Sequence, residues 1–277
     1  MKRLAFSILA LSTAAFVACS TSGGSGGGGP SPAAPARFSY GPFSAQYQVS
    51  SHTHVEQEFQ GQTQTSDFGL VYFLSVSATD EGGVTRLTMT LDSVPVLHGP
   101  MTSPSAGADA AGATFTGIFT PRGEILDFQS SDSANPLVQQ LSTGLSRFFP
   151  RVPIDGAGAG QAWTDSVSNN SRSGGLAILV EATAQFQAHS WGDRNGVRAL
   201  SVGSNTDYVL SGSGSQGGSE ITLDGTGVSH GSFYLGSDGL FLGGASADTS
   251  HMEAFVVAMG MAIPIVQTRF DTVAVVR

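Results

Sequence analysis

The 277-residue sequence holds one cysteine, two tryptophans and, at position 2, its one lysine. A single cysteine excludes an internal disulfide, so the fold must stand on its own core. Acidic residues outnumber basic ones 21 to 12, a net charge of −9. That balance argues against nucleic acid or an anionic membrane surface as a partner. No stretch reaches the ~18 apolar residues of a membrane-spanning helix. The nearest approach, residues 254–266, is broken by Pro264. Paired-cysteine, HExxH and phosphate-loop spacings are also missing. No catalytic residue, metal or cofactor is therefore expected.

What is present begins with an address. Lys2 and Arg3 precede an apolar run from Leu4 to Ala18, of signal-peptide length. The run ends Phe16-Val17-Ala18-Cys19 and resembles a bacterial lipoprotein signal, in which a small residue precedes the lipidated cysteine. The resemblance implies that residues 1–18 are removed and that Cys19 becomes an acylated N-terminus anchored in a membrane. Several acyl chains, at ~0.8 kcal/mol per buried CH₂, hold stably where one would be marginal. Ser20, in place of an inner-membrane-retaining Asp, points to the outer membrane of the bacterial envelope. Loss of Lys2 and Arg3 leaves ten arginines against 21 acids, a net charge of −11. Residues 19–38, rich in Gly, Ser and Pro, read as a linker holding the domain ~20–40 Å from that membrane.

The remaining chain, residues 39–277, is long enough for one substantial core. Period two dominates it. Phe43, Ala45, Tyr47, Val49, Ser51, Thr53, Val55, Gln57 and Phe59 share one face of a predicted strand, and the polar residues between them share the other. Phe68 to Ala78 repeats the pattern, and Leu87, Met89 and Leu91 continue it after an Asp80-Glu-Gly-Gly turn. One segment differs. Asn135 is a good N-cap, Pro136 suits the first helical position, and Leu137, Leu141, Leu145 and Phe148 fall on one stripe. Pro150 stops the run, so a helix is expected over 136–149, with Gly144 marking a close backbone approach. Residues 103–112 read as a small-residue loop. Beyond the helix lie strands near 161–168, 176–189, 197–210, 220–223, 228–235, 239–257 and 262–276.

The two sides of the helix are alike. Asp80 to Leu87 resembles Asp193 to Leu200 at an offset of 113, and the Gly123 turn resembles the Gly239 turn at 116. The fold class expected is mainly β, with long antiparallel strands in two halves, 39–135 and 160–277, joined by one α-helix. A sandwich and a half-barrel both satisfy it. One helix ~20 Å long cannot cover sheets of such strands. A half-barrel would therefore leave a groove lined by Tyr47, Val49, Leu70, Tyr72, Leu74, Leu87 and Met89, suited to an acyl chain or similar apolar ligand.

Two constellations have the residue types for chemistry. Gly227-Val-Ser229-His-Gly231 fits the nucleophile elbow of hydrolases, but the following residues read as strand where the elbow needs a helix. His52, His54, Glu56 and Glu58 share a strand face, yet they span ~20 Å, so at most two or three can meet and further metal ligands would have to come from scattered residues elsewhere. A family resemblance comes from Phe149-Pro150-Arg-Val-Pro153-Ile followed by Gly160-Gln-Ala-Trp163, which is similar to a join in uncharacterised β-rich bacterial lipoproteins. In architecture alone, long curved strands with one helix resemble the LolA/LolB/LppX half-barrel lipoproteins. With no constellation that supports catalysis, the chain is expected to be an envelope protein that is not an enzyme and that either carries an apolar ligand or serves as an interaction scaffold.

Overall fold

The computed structural model describes residues 37–99, 105–173, 175–194, 196–216 and 218–276. The expected signal peptide, Cys19 and the linker to residue 36 lie outside these. Phe38 does not belong to the linker. It is buried and exchanges backbone hydrogen bonds with Ala157 at 2.7 and 2.9 Å.

Alternation builds the architecture. In β1 (Phe43–Phe59), Tyr47, Val49, Thr53 and Val55 are buried while Ser44, Gln46, Gln48 and His52 are exposed. Similar pleating runs through β2 (Gln62–Asp80), β3 (Thr85–His98), β4 (Thr114–Phe119), β5 (Ile125–Ser130), β6 (Ala162–Ser173) and β7 (Leu176–Arg194). It continues in β8 (Val197–Gln216), β9 (Ser219–Gly236), β10 (Phe241–Val256) and β11 (Met261–Val276). All eleven pair antiparallel in one sheet, in the order β5-β4-β3-β2-β1-β11-β10-β9-β8-β7-β6. The sheet is open, with β5 and β6 as its edges. β11 lies between two runs of five, and those runs share a spatial order: β5 to β1, then β10 to β6. The matching hairpins agree in detail. Gly83 N donates to Asp80 Oδ1 at 2.8 Å, and Gly196 N donates to Asp193 Oδ1 at 3.1 Å.

Eleven strands ~4.8 Å apart would make a flat sheet ~50 Å wide, with an apolar face no small helix could cover. The sheet curls instead. At one end Val55, Phe59 and Phe68 of β1 and β2 join a cluster with Ile178, Leu210, Met252 and Ile265 from β7, β8, β10 and β11. At the other end Tyr47, Leu74, Leu87 and Met89 join a cluster with Phe233 and Phe241. One curled sheet replaces the sandwich alternative.

Four expectations are corrected. The 103–112 loop contains a short helix, α1 (Ala106–Ala110), whose buried Gly107 meets Val94 of β3. Two helices are therefore described, not one. The second, α2 (Pro136–Leu145), is ten residues long rather than fourteen. Its cap is as expected, with Leu137 N and Val138 N donating to Asn135 Oδ1 at 3.0 and 3.3 Å. Past Leu145 the bonds shorten to i→i+3, Arg147 N to Gly144 O and Phe148 N to Leu145 O, and this tighter turn delivers Phe148 and Phe149 to the core. Gly144 faces open space, so no close approach explains it. Finally, 220–223 and 228–235 are one continuous strand. Gly225 and Gly227 between them are spacers, since a Cβ on Gly225 would meet Met252 Cγ at 2.8 Å and one on Gly227 would strike the Tyr208 ring.

Candidate functional site

Between the two apolar clusters the inner face turns polar. One register row runs across the sheet as Thr53, Arg269, Asp248, Ser229, Thr206, Ala184 and Asp165. The row on one side holds Ser51, Asp271, Ser246 and Ser204, and the row on the other holds Gln267, Ser250 and Tyr208. Thr53, Ser229, Ser246, Asp248, Ser250, Gln267 and Asp271 are all buried.

The charges in this belt are unequally matched. Arg269 approaches Asp271 Oδ1 with both Nε and Nη2 at 2.9 Å. Tyr208 Oη donates to Asp248 Oδ1 at 2.9 Å. Asp248 Oδ2 has no hydrogen-bond partner, although the residue is only 1% exposed. Burial pushes the Asp248 carboxyl up to about 6, against the Tyr208 hydrogen bond and the Arg269 charge, with Asp271 adding to the rise. A raised folded pKa means that the fold prefers the neutral acid. Its contribution to stability is full below about pH 3.8 and is lost as pH climbs through about 6.

A cavity of about 450 Å³ lies beside α2, between the β5 edge and the inner faces of β6 to β9, and reaches this belt. Its walls are Ile125, Phe149, Val180, Ala182, Ala184, Phe186 and Phe233, and its floor is Ser204, Thr206, Tyr208 and Asp248. Glu124, Arg147, Arg151 and Asp165 form the polar rim. There Arg151 stands 3.8 Å from Glu124 and 3.5 Å from Asp165. Arg147 Nη2 donates to the Ser168 carbonyl at 3.2 Å. Burial first, then the Arg151 charge, lowers the Arg147 pKa, and Asp165 partly offsets this. Asp165 and Asp248 are separated by four strand steps, about 19 Å along the sheet. The site is thus a long apolar slot with a charged mouth and an acidic floor.

The residues expected to line a groove lie elsewhere. Tyr47, Val49, Tyr72, Leu74, Leu87 and Met89 are buried in the core around α2, and Leu70 packs against that core. None of the seven lines the cavity. α2 and the Phe148–Phe149 pair occupy the volume such a groove would need, and Tyr47 Oη is held by the Phe241 carbonyl at 2.8 Å. The Phe149–Trp163 join has a clearer place. Phe149 is cavity wall, and Trp163 stacks on Phe186 at 5.1 Å while its Nε1 donates to the Arg151 carbonyl at 3.1 Å.

Ser229 sits buried in mid-strand on β9, with strand on both sides. On the outer face His54 bridges Asp67 at 2.8 Å and Glu56 at 3.2 Å, with His52 3.7 Å from Asp67. These acids raise the His54 pKa. Among the described residues no group of three His, Cys, Asp or Glu side chains is placed to hold a metal.

Sequence reading missed Asp248, Arg269 and Asp271. The signal was one of phase. Asp248 falls in register with Met252, Ala254 and Val256 of its own strand, and Arg269 and Asp271 with Ile263, Ile265 and Val273. A charge in phase with core residues marks a buried polar site.

Comparisons add little. No protein-family model matches the chain, and no curated protein does. Among solved structures, the Pseudomonas aeruginosa channel protein OccK2, crystallised with glucuronate, is 8% identical and covers 84% of this chain and 98% of its own, with a TM-score of 0.26. An outer membrane channel of Pseudomonas putida F1 is 10% identical, covers 88% and 100%, and has a TM-score of 0.16. At such scores neither similarity bears on fold or function, and no family is shown.

Proposed function

We propose that this chain is a lipid-anchored protein of the bacterial envelope whose β domain binds a small, largely apolar ligand. The observation that carries the ligand reading is the cavity. Its 450 Å³ falls within the 300–1,000 Å³ of small-molecule sites, and apolar walls with a few convergent polar groups are the usual lining of such sites. Its place beside an internal helix, inside a curled sheet, keeps it apart from the polar outer face. The role proposed is binding rather than catalysis.

Ala184 tests the reading. It lies on the cavity wall with a small side chain, so Ala184→Trp should fill the slot and abolish binding of an environment-sensitive naphthylamine probe while the circular dichroism spectrum is unchanged. Native mass spectrometry of the wild-type protein from its host should show a co-purifying small molecule that the variant lacks. Absence of both signals would leave an interaction scaffold as the better description.

The anchor rests on Cys19 and its preceding apolar run. Cys19→Ala should move the protein from the membrane fraction to the soluble fraction. Wild-type protein recovered soluble with an unmodified cysteine would defeat this part of the proposal. Phe38 pairs with Ala157, so the tether would reach the domain next to the segment that carries Pro150 and Arg151 to the cavity mouth.

A further inference from the structure

We propose that the ligand of this cavity is an elongated apolar molecule ending in a protonated amine, which is held at the floor by Asp248. The inference rests on the cavity being a ligand site and names the chemistry of its occupant. It starts from Asp248 Oδ2, a buried acceptor without a partner in the wall of a cavity. Buried polar atoms are nearly always hydrogen-bonded, and an orphan calls for an explanation. Tyr208 satisfies only Oδ1. Arg269, the cross-strand neighbour of Asp248, is turned to Asp271 through two of its nitrogens. With Asp248 ionised, the belt of Asp248, Asp271 and Arg269 carries one uncompensated negative charge.

Three kinds of terminal group could reach that floor. A carboxylate would bring a like charge against Asp248 in a buried site. A hydroxyl would give Oδ2 one hydrogen bond and leave the charge unbalanced. An ammonium group supplies both the charge and three donors, and the Ser204 and Thr206 hydroxyls on the same floor offer further acceptors. The apolar walls and the length of the slot accommodate the rest of the molecule.

The groups facing Asp248 set its pH behaviour. They are Tyr208 from β8 and Arg269 and Asp271 from β11; Asp165, Glu124, Arg147 and Arg151 stand at the far mouth of the same slot. Because the free acid titrates at about 6, an amine must displace a proton below that pH. Its affinity should rise about tenfold between pH 5 and 7.5, following the ionised fraction.

Decylamine, decanol and decanoate, titrated calorimetrically into the Cys19→Ala chain, test the inference. At about pH 7.5 decylamine should bind tightest, and Asp248→Asn should weaken it by about tenfold or more while changing decanol by less than about twofold. Asn retains an acceptor for Tyr208, so the variant should remain folded. If it does not, the wild-type pH profile decides by itself, since a flat or inverted decylamine profile overturns the inference. Decanol or decanoate binding as tightly as decylamine would also overturn it, while leaving the cavity a ligand site. If none of the three binds, the cavity reading fails and this inference fails with it.

Discussion

Arg269→Met should destabilise the domain by about 3–5 kcal/mol near neutral pH. The side chain is nearly buried, and both its Nε and its Nη2 lie 2.9 Å from Asp271 Oδ1. Asp248 is its cross-strand neighbour. Methionine fills much of the same volume but removes the cation, which leaves two buried carboxylates without it. Breaking a buried pair by deleting one partner is costly because the surviving charge is uncompensated. The sign of the pH dependence follows. In the variant Asp248, whose pKa burial already raises to about 6, can relieve the penalty by taking a proton, so the deficit should be largest above about pH 7 and shrink toward about pH 5. Urea denaturation of both proteins at the two pH values measures it. An equal loss at both would mean that Arg269 acts through packing rather than through its charge.

Phe148→Ala is expected to cost a similar amount, about 3–5 kcal/mol, by a different route. Phe148 is buried at the point where α2 hands over to the join, edge-on to Tyr47 at 5.1 Å, to Phe149 at 5.0 Å and to Phe241 at 5.9 Å. These contacts tie the helix end to β1 and β10 at once. The truncation removes the ring's burial and leaves a cavity the surrounding strands cannot close. Phe270→Ala is the control, since Phe270 is 53% exposed on the outer face and should change stability by less than about 0.5 kcal/mol. If the two variants proved equal under chemical denaturation, the aromatic cluster would not be the anchor of this end of the core.

Much of the fold was legible because period two is a local property. Tyr47, Val49 and Val55 against Gln46, Gln48 and His52 give the inner and outer faces of β1 without reference to any other strand. Asn135 and Pro136 announce α2 in the same local way. Its end was misread because the stripe continues through Phe148. Nothing local tells a helical Phe148 from one delivered by a tight turn. The 220–223 and 228–235 segments read as separate strands across Gly225 and Gly227 for a related reason. The need for small residues there comes from Met252 and Tyr208 on neighbouring strands, and no window of sequence contains those contacts. The site was hidden more deeply. A groove was expected on the first-half strands because one helix could not cover their apolar faces. Strong apolar faces attract the helix, so that half is filled. The second half carries Ala182, Ala184, Ser204 and Thr206 on its inner face, and these small residues leave the space that becomes the cavity.

The placement of β11 bears on how such a chain is made. The last strand lies between β1 and β10, so Gln46 pairs with Val276 and Gln57 with Ile265. As the polypeptide emerges from N- to C-terminus, β1 to β10 are available before anything can join the two halves. Throughout that interval β1 and β10 each present a long unpaired edge in what will become the middle of the sheet, and such edges template association between chains. The closing contacts are also among the most distant in sequence, which slows folding. A newly made chain would therefore keep two adhesive edges until the sixteen residues of β11 are delivered between them.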